Sequence, residues 1–317
     1  MAESATLTFS DPDGYAAAFG DARIKLTLTI TGAGDFKAQL TRLKLKHLEI
    51  YRCSESLPRI VYMSLPAEPV FLSFPVRKAS CTFDGIVLRN GDMVFHSGAE
   101  RMHQRSSGAC QWGFISLSAD QLANISKVLT GKSMVSPALS RILRPSRMET
   151  ARFQSLFEQA CHLAESGQKL IEDFESAMAL EQEMMHAIVH CLAANQADES
   201  SNARHHHAAL MVRFEETLGK YIDQKLSMPK LCAEVGVAER TLRMCCAEFL
   251  GVSPSRYLLL RRLNKARAAL RRADPSKATV AEVARNHHFL ELGRFSVTYR
   301  IAFGELPSVT LQRNSQT

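Results

Sequence analysis

At 317 residues, 46% of them apolar, the chain is long enough for two domains with separate hydrophobic cores. It has no run of about 18 apolar residues and begins without the basic and apolar segments of a signal peptide. We therefore expect a cytoplasmic protein with no membrane partner. The net charge of +7 is unevenly distributed, because residues 208–317 hold 18 Lys and Arg against 10 Asp and Glu. This basic segment predicts an anionic partner.

Residues 1–133 are predicted to be mostly β. A short helical segment at 11–19 is followed by compact or alternating apolar runs, which are separated by Gly, Pro and Ser breaks. These runs lie at 25–30, 36–45, 47–52, 60–65, 70–76, 85–88, 92–96 and 111–117. Many short strands with regular turn signals predict a small barrel or sandwich.

A ligand pocket is predicted at the mouth of this β domain, since an apolar wall with a few polar groups is typical of small-molecule sites. The candidate lining residues are Tyr62, Phe74, His96, Arg101, His103 and Trp112. An ordinary core or surface position is the alternative for each of them, because the sequence does not fix the register of the strands.

Gly91-Asp92 and the spacing from Gly98 to His103 resemble a cupin motif. That resemblance implies a cupin-like barrel and raises an alternative function, a metal-dependent enzyme with His96, Glu100 and His103 as ligands. Such a site needs about three convergent His and carboxylate ligands. The His-x-His motif that cupin enzymes place upstream is missing, because His47 is the only histidine from residue 33 to residue 89. We therefore predict no metal, no cofactor and no catalytic residue.

A helical hairpin is predicted at 147–194, with its two helices joined at 165–167. The first apolar stripe consists of Phe153, Leu156, Phe157, Ala160, Cys161 and Ala164. The second consists of Ile171, Phe174, Met178, Met185, Ile188 and Leu192, and only Glu181 interrupts it. The second helix, 168–193, either packs on the β domain or pairs with its copy in a homodimer. A polar stretch at 195–207 is predicted to be a flexible linker to a C-terminal domain at 208–317.

An internal repeat marks that C-terminal domain. Residues 227–237 are echoed at 279–289, and residues 242–255 are echoed 53 positions later. Each copy has a capping residue, a short helix, a turn and a second helix, so we predict helix-turn-helix units at 227–250 and 279–303. The joining helix begins after Ser253 and carries seven Lys and Arg residues without one acidic residue. The predicted fold class is therefore α+β, with an all-α double helix-turn-helix domain at the C-terminus.

Residues 231–242, 251–257, 261–267 and 293–308 closely resemble the DNA-binding domain of the AraC/XylS family of bacterial transcription regulators. The resemblance implies a regulator, usually an activator, that binds double-stranded DNA, RNA polymerase and a small metabolite effector and is associated with the nucleoid. One position departs from the family pattern, because His288 occupies the turn position before Phe289 where the family has Gly. A histidine adopts positive φ at a cost, so this predicts strain in the second turn.

Residue roles follow from positions on the two second helices. The resemblance places base-reading residues at Arg240, Arg243 and Met244, and Thr241 is suited to a phosphate or a thymine methyl. In the second unit Arg294 and Arg300 are predicted to anchor phosphates. On the joining helix, Arg262 and Lys265 are predicted to contact phosphates of any sequence. A DNA-binding protein that needs no ligand is the remaining alternative.

Overall fold

The computed structural model describes residues 3–76, 81–166, 174–193, 202–221 and 226–313. Its strands in these ranges are β1 (Glu3–Phe9), β2 (Lys25–Ile30), β3 (Ala38–Lys44), β4 (Leu48–Glu55), β5 (Arg59–Ser64), β6 (Val70–Pro75), β7 (Cys81–Phe83), β8 (Ile86–Val87), β9 (Met93–Phe95), β10 (Arg101–Ser106), β11 (Cys110–Leu117) and β12 (Arg141–Leu143). Its helices are α1 (Pro12–Ala17), α2 (Ala119–Thr130), α3 (Arg147–Ser166), α4 (Phe174–Ala193), α5 (Asn202–Lys220), α6 (Met228–Val235), α7 (Glu239–Leu250), α8 (Pro254–Arg272), α9 (Val280–Asn286), α10 (Leu292–Phe303) and α11 (Pro307–Gln312). The α+β class, with sheets first and helices after them, is confirmed.

The strands form two antiparallel sheets that face each other. Seven strands lie in the order β1-β3-β4-β11-β6-β9-β12, and five lie in the order β2-β5-β10-β7-β8. Over the described ranges no strand pairing closes the two sheets into one barrel. Aromatic side chains fill the space between the sheets, among them Phe71, Trp112 and Phe114. The N-terminal domain is thus a sandwich with an aromatic interior.

Strand β6 shows how alternation distributes side chains between two cores. Phe71 points into the sandwich, whereas Leu72 and Phe74 point outward and pack on α3 and α4. The outer face of the seven-stranded sheet is therefore covered by the helices α2, α3 and α4. None of the described helices is both long and apolar enough to cross a membrane.

The burial of helix α4 corrects part of the predicted dimer seam. Met185 and Ile188 are fully buried within the chain, in the core that α4 shares with α3 and the sheet. Glu181, which interrupts the stripe, accepts a hydrogen bond from the backbone N–H of His47 at 2.5 Å. Met178 is 44% exposed. Ile171 and residues 168–173 as a whole lie outside the described residues.

The predicted linker at 195–207 is wrong in its second half. Helix α5 begins at Asn202, so His205, His206 and His207 are helical, and the Nδ1 atom of His207 lies 3.0 Å from a Glu248 carboxylate oxygen. The reason is that the apolar stripe of this helix continues through Leu210 and packs with α6 and α7. Residues 194–201 lie outside the described residues.

The C-terminal helices pack directly on the outer face of the five-stranded sheet. Ile60 of β5 belongs to the same core as Phe214 of α5 and Phe249 of α7. At the edge of that sheet, the Asn264 side chain of α8 bonds to both the N–H and the C=O of Ile30, each at 3.0 Å. The order of layers is therefore helices, seven-stranded sheet, five-stranded sheet and helix-turn-helix domain.

Candidate DNA-binding surface

The first helix-turn-helix unit consists of α6, a turn and α7. The Ser227 hydroxyl accepts the N–H of Lys230 and caps α6, and Gly236 ends the helix at a φ of 74°. The Val237 N–H then reaches back to the Cys232 carbonyl at 3.0 Å. Glycine is favoured here because an L side chain is strained at this positive φ.

Helix α7 buries one face and presents the other to solvent. Its buried face consists of Leu242, Cys245, Cys246, Phe249 and Leu250. Arg240, Arg243 and Met244 are exposed, and Thr241 is half-buried. An ion pair at 2.6 Å holds Arg243 against Glu239 one turn earlier. The residues predicted to read bases thus share one solvent-facing side.

The second unit repeats this turn with a histidine in place of the glycine. Thr279 and Glu282 form a reciprocal capping box at the start of α9. His288 has a φ of 61°, and the Phe289 N–H bonds to the Ala284 carbonyl at 2.9 Å, as Val237 does to Cys232 in the first unit. The turn is therefore conserved in geometry between the two units, with a left-handed histidine that costs about 1–2 kcal/mol.

We expect His288→Gly to raise the free energy of unfolding by about 0.5–1 kcal/mol, because glycine relieves the left-handed strain but loses some of that gain to chain entropy. Urea unfolding of the full chain measures the change. His287→Gly is the control, since His287 has a φ of −101° and glycine there gains nothing. A stabilising effect of equal size in both variants would contradict the strain at residue 288.

Helix α10 presents the matching surface in the second unit. Phe295, Tyr299 and Phe303 are buried, whereas Arg294 and Arg300 are exposed. Val297 and Ile301 are exposed apolar side chains on the same helix, at 56% and 67% of their full accessibility. This surface offers two cations and an apolar strip.

The basic face predicted for the joining helix α8 is largely used inside the protein. Its 19 residues span about 28 Å. Arg267 is buried against Glu305 at 3.1 Å and its guanidinium covers the Phe303 ring. Arg271 and Arg272 pair with Asp11 and Asp13 of the N-terminal domain. Arg271 and Arg272, which the sequence suggested as part of a DNA-binding face, therefore form ion pairs that join the two domains.

Arg261 takes part in a buried junction between the two domains. The Glu215 carboxylate of α5 accepts hydrogen bonds from His103 Nε2 of β10 at 3.1 Å and from the Tyr257 hydroxyl at 2.6 Å, and it also pairs with Arg261. Burial alone would raise the pKa of Glu215, but the Arg261 guanidinium and the hydrogen bonds lower it to about 2. A fixed negative charge therefore lies between the sandwich and α8.

Sequence reasoning missed Glu215 and Asn264, which make the domain junction. A signal existed for Glu215, since it follows Met211 by one helical turn and so lies on the apolar face of α5. A charged residue on a buried face needs a partner from elsewhere in the fold. Asn264 had no comparable signal, because its partner is the backbone of a distant strand.

The six predicted effector residues are not brought together. Phe74 faces α3, and Trp112 lies in the sandwich interior, where its indole N–H donates to Glu55. His96 also lies in the interior, where its two ring nitrogens are within hydrogen-bond distance of Ser73 and Glu100. The other three, Tyr62, Arg101 and His103, lie on the outer face of the five-stranded sheet, at α5.

The three ligands of the alternative metal site do not converge either. His96 and Glu100 contact each other at 2.6 Å, but His103 points out of the opposite face of the five-stranded sheet to Glu215. Among the residues that the structure describes, no cluster of three or more His, Cys, Asp or Glu side chains has the arrangement of a metal site.

Two helix-turn-helix units on one connecting helix, each with exposed arginines on its second helix, define a DNA-binding protein of the double helix-turn-helix class. A family model described as a helix-turn-helix domain matches residues 231–313. Residues 231–313 therefore form a helix-turn-helix domain, and this part of the chain is similar to the matching part of proteins named as operon regulators.

Three similar proteins illustrate how far this match extends. A probable thc operon regulatory protein from Rhodococcus erythropolis is 38% identical over 95 residues, which is 30% of this chain and 29% of that protein. A XylDLEGF operon transcriptional activator from Pseudomonas putida is 32% identical over 101 residues, 32% of each chain. A solved structure of a probable AraC family transcriptional regulator from Rhodopseudomonas palustris is 31% identical, with a TM-score of 0.31, and the match covers 33% of this chain and 97% of that one. The chain thus aligns with about a third of the length of the two named relatives.

Proposed function

We propose that this chain is a sequence-specific transcription regulator that activates its target genes in response to a small molecule bound by the N-terminal part. The observation that carries the proposal is the pair of exposed arginine-bearing helices, α7 and α10, at the two ends of α8. The length of α8, about 28 Å, approaches the ~34 Å of one turn of DNA. Activation is proposed because a relative is named as an operon activator.

In this proposal the first unit reads bases and the second unit binds phosphates. Arg240 and Arg243 read base edges, because an arginine in the major groove binds guanine through two hydrogen bonds. Thr241 and Met244 extend that surface on α7. Arg294 and Arg300 on α10 anchor phosphates and so fix the position of the second unit. Arg262 and Lys265, both half-buried on α8, contribute phosphate contacts that do not depend on sequence.

The proposed effector site lies where the sandwich meets α5. A cavity of about 240 Å³ is lined by Asp84, Glu100 and Arg101 from the sandwich and by Arg204 and Val212 from α5. Burial and the nearby Glu100 raise the pKa of Asp84 well above its usual range, and an Asp84 carboxyl oxygen accepts a hydrogen bond from the backbone N–H of His103 at 2.7 Å. A ligand here contacts both domains.

A ligand at this junction has a direct way to influence DNA binding. It changes the balance between arrangements of the two domains only by its difference in affinity for them. The contacts of Asn264, Arg267 and Arg271 with the N-terminal domain connect that balance to α8 and hence to the spacing of the two units.

The remaining partners and the detailed fold of the N-terminal part belong to the same proposal. The sandwich is a cupin-like effector domain, RNA polymerase is the partner in activation, and the protein acts as a cytoplasmic, nucleoid-associated homodimer. The exposed Met178 side of α4 supports dimer contact through the predicted helix, and two linked copies raise the effective concentration at paired sites.

A regulator that needs no ligand is the second candidate. It predicts that removal of residues 1–195 leaves DNA affinity and regulation unchanged. The ion pairs of Arg271 with Asp11 and of Arg272 with Asp13 instead favour a DNA-binding part that depends on the N-terminal domain, which the ligand-responsive proposal requires.

Selection of bound fragments from random DNA, with the full chain at two salt concentrations, tests the proposed recognition. We expect a motif with two elements about one helical turn apart. Salt-sensitive binding without any enriched motif would reduce the protein to a nonspecific DNA-binding role.

Substitutions on the enriched site separate the two kinds of contact. Arg240→Ala or Arg243→Ala is expected to cost about 1–3 kcal/mol on that site and much less on random DNA. Arg262→Ala and Lys265→Ala are expected to weaken both DNAs alike. Fluorescence anisotropy on the two DNAs measures the affinities, and equal losses on both DNAs for all four variants would rule out base reading by α7.

A further inference from the structure

A cavity between the two helix-turn-helix units has the character of a binding site. Its volume is about 290 Å³, near the lower end of the range for small-molecule sites. One wall comes from the first unit, with Leu226 and Met228, and the other comes from the second turn, with His287 and His288. Helix α8 forms the floor through Leu258, Leu259 and Arg262.

The lining combines apolar side chains with positive charge. Leu218, Leu226, Met228, Leu258 and Leu259 supply the apolar part. Arg261, Arg262 and Lys265 supply cationic groups, and the described residues that line the cavity include no Asp or Glu. Arg261 is already paired with Glu215, which leaves Arg262 and Lys265 as the other cations of the lining.

The guanidinium of Arg262 contacts an aromatic ring and a backbone carbonyl, and no carboxylate of the described residues pairs with it. Its guanidinium lies 4.9 Å from the centre of the Phe289 ring, and its nearest hydrogen-bond acceptor is the His288 carbonyl at 3.5 Å. Among the described residues, no carboxylate forms an ion pair with it. Burial lowers the pKa of Arg262, in keeping with its half-buried position and with the lack of a carboxylate partner among the described residues.

Backbone strain occurs at the same place. The first unit has Gly236 in its turn, whereas the second keeps His288 in the left-handed region, and both His287 and His288 line the cavity. Residues held in unfavourable backbone conformations cluster at functional sites. The helix-turn-helix fold alone does not require a histidine at residue 288, because the first unit makes the same turn with glycine.

From these observations we infer that the cavity binds a small amphipathic organic anion, with its carboxylate at Arg262 and its apolar body against Met228, Leu258 and Leu259. The leucines and methionine are the reason to prefer such a molecule to inorganic phosphate as the occupant of the cavity, because apolar side chains form no hydrogen bonds with phosphate oxygens. A bound ligand contacts both units and so stabilises one relative arrangement of them. This site is separate from the proposed effector cavity at α5.

Calorimetric titration of the full chain without DNA tests the inference. Three probes are compared at matched ionic strength: hexanoate, its neutral analogue hexanamide, and inorganic phosphate. We expect saturable hexanoate binding with a dissociation constant of about 1 mM or tighter. Hexanamide and phosphate are expected to bind at least about 10-fold more weakly, because hexanamide has no negative charge and phosphate has no apolar chain.

Variants locate the bound molecule. Arg262→Gln is expected to weaken hexanoate binding by about 10- to 100-fold, the loss of one charge-assisted hydrogen bond. Arg256→Gln is the matched control, since Arg256 is on the same helix, is also half-buried and does not line the cavity. Met228→Gln, which keeps the charge, is expected to weaken hexanoate binding but not phosphate binding.

Three results would overturn the inference. These are no saturable hexanoate binding, phosphate binding as tight as hexanoate binding, or equal losses in the Arg262 and Arg256 variants. Because no DNA is present in the titration, its outcome does not depend on the proposed regulatory function. If the chain binds hexanoate but selects no DNA motif, the anion site stands and the proposed regulatory function fails. If it selects a motif but does not bind hexanoate, the regulatory function stands and the anion site fails.

Discussion

Replacing Glu215 with glutamine is expected to lower the free energy of unfolding by about 3 kcal/mol at neutral pH. The substitution keeps the shape of the side chain but leaves the largely buried Arg261 guanidinium without its counter-ion. It also weakens the hydrogen bonds from His103 and Tyr257, so the N-terminal domain loses a contact with α5. Urea unfolding of the full chain measures the loss.

The same substitution is expected to change the response to acid. The pKa of Glu215 is about 2 in the folded chain, below its ordinary value of 4.5. Its charge therefore stabilises the fold fully above about pH 4.5, and this contribution disappears as the pH falls towards 2. The difference in the free energy of unfolding between the wild type and Glu215→Gln should therefore decrease as the pH falls from about 4.5 to about 2.

Glu216→Gln provides the matched control for both measurements. Glu216 is the next residue on α5, but its pair with Arg101 is about half exposed, and such pairs contribute about 0–1 kcal/mol. A loss of 3 kcal/mol in this variant as well would show that the effect does not come from burial of the Glu215 charge.

Arg59→Met is expected to destabilise the chain by about 3–5 kcal/mol, because it leaves the Glu55 carboxylate buried without its cation. Arg59 and Glu55 are both inaccessible to solvent, with the guanidinium Nε atom 2.6 Å from a carboxylate oxygen. Tyr15, Cys110 and Trp112 also donate hydrogen bonds to Glu55, so the whole cluster depends on that carboxylate.

The pH dependence of the Arg59 variant should have the opposite sign to that of Glu215. Burial alone raises the pKa of Glu55, and the positive charge of Arg59 is the main reason that it is lowered in the intact chain. Without Arg59 the folded state binds a proton more tightly than the unfolded state does, so stability should fall as the pH rises above the ordinary carboxyl pKa of 4.5.

A double variant tests whether the cost comes from an unpaired charge. Glu55→Gln with Arg59→Met is expected to recover at least about half of the lost stability. Arg52→Met is the control, since Arg52 pairs with Glu158 at the sheet surface and is 17% exposed. A double variant no more stable than Arg59→Met alone would indicate that lost packing, and not charge, is responsible.

The helix-turn-helix units were predictable because their signals are local. Capping residues, turn glycines and a repeat at a fixed offset lie within about 30 residues of each other, and both units occur where the sequence placed them. Most of the apolar strand segments were predictable for the same reason. Strand β10 was missed because its sequence, Arg101–Ser106, is mainly polar.

The polar residues of β10 become understandable only in the folded chain. Gln104 accepts a hydrogen bond from Arg59 inside the sandwich, and His103 reaches Glu215 on the other side. Both partners are distant in sequence, so no local pattern reveals them. The predicted effector residues did not converge for a related reason. A shift of one residue along β6 exchanges Ser73, which contacts the interior His96, for Phe74, which faces the outer helices.

The uses of the arginines on α8 could not be predicted from the sequence either. A run of cations on one helix looks like a nucleic-acid contact in sequence, and the aspartates that neutralise part of it lie about 260 residues away. Only the packing of the two domains separates the cations that hold α8 in place from those that face solvent.

The two hydrogen bonds between the Asn264 side chain and the Ile30 backbone affect the expected solubility of the N-terminal domain when it is produced alone. Strand β2 is an outer strand of its sheet, and the Asn264 side chain satisfies both backbone groups of Ile30 as a neighbouring strand would. A fragment that ends before α5 would leave this strand open, with Ile60 uncovered on the adjoining face. Such an edge is a template for strand addition from another molecule, so we expect the isolated sandwich to aggregate where the whole chain does not.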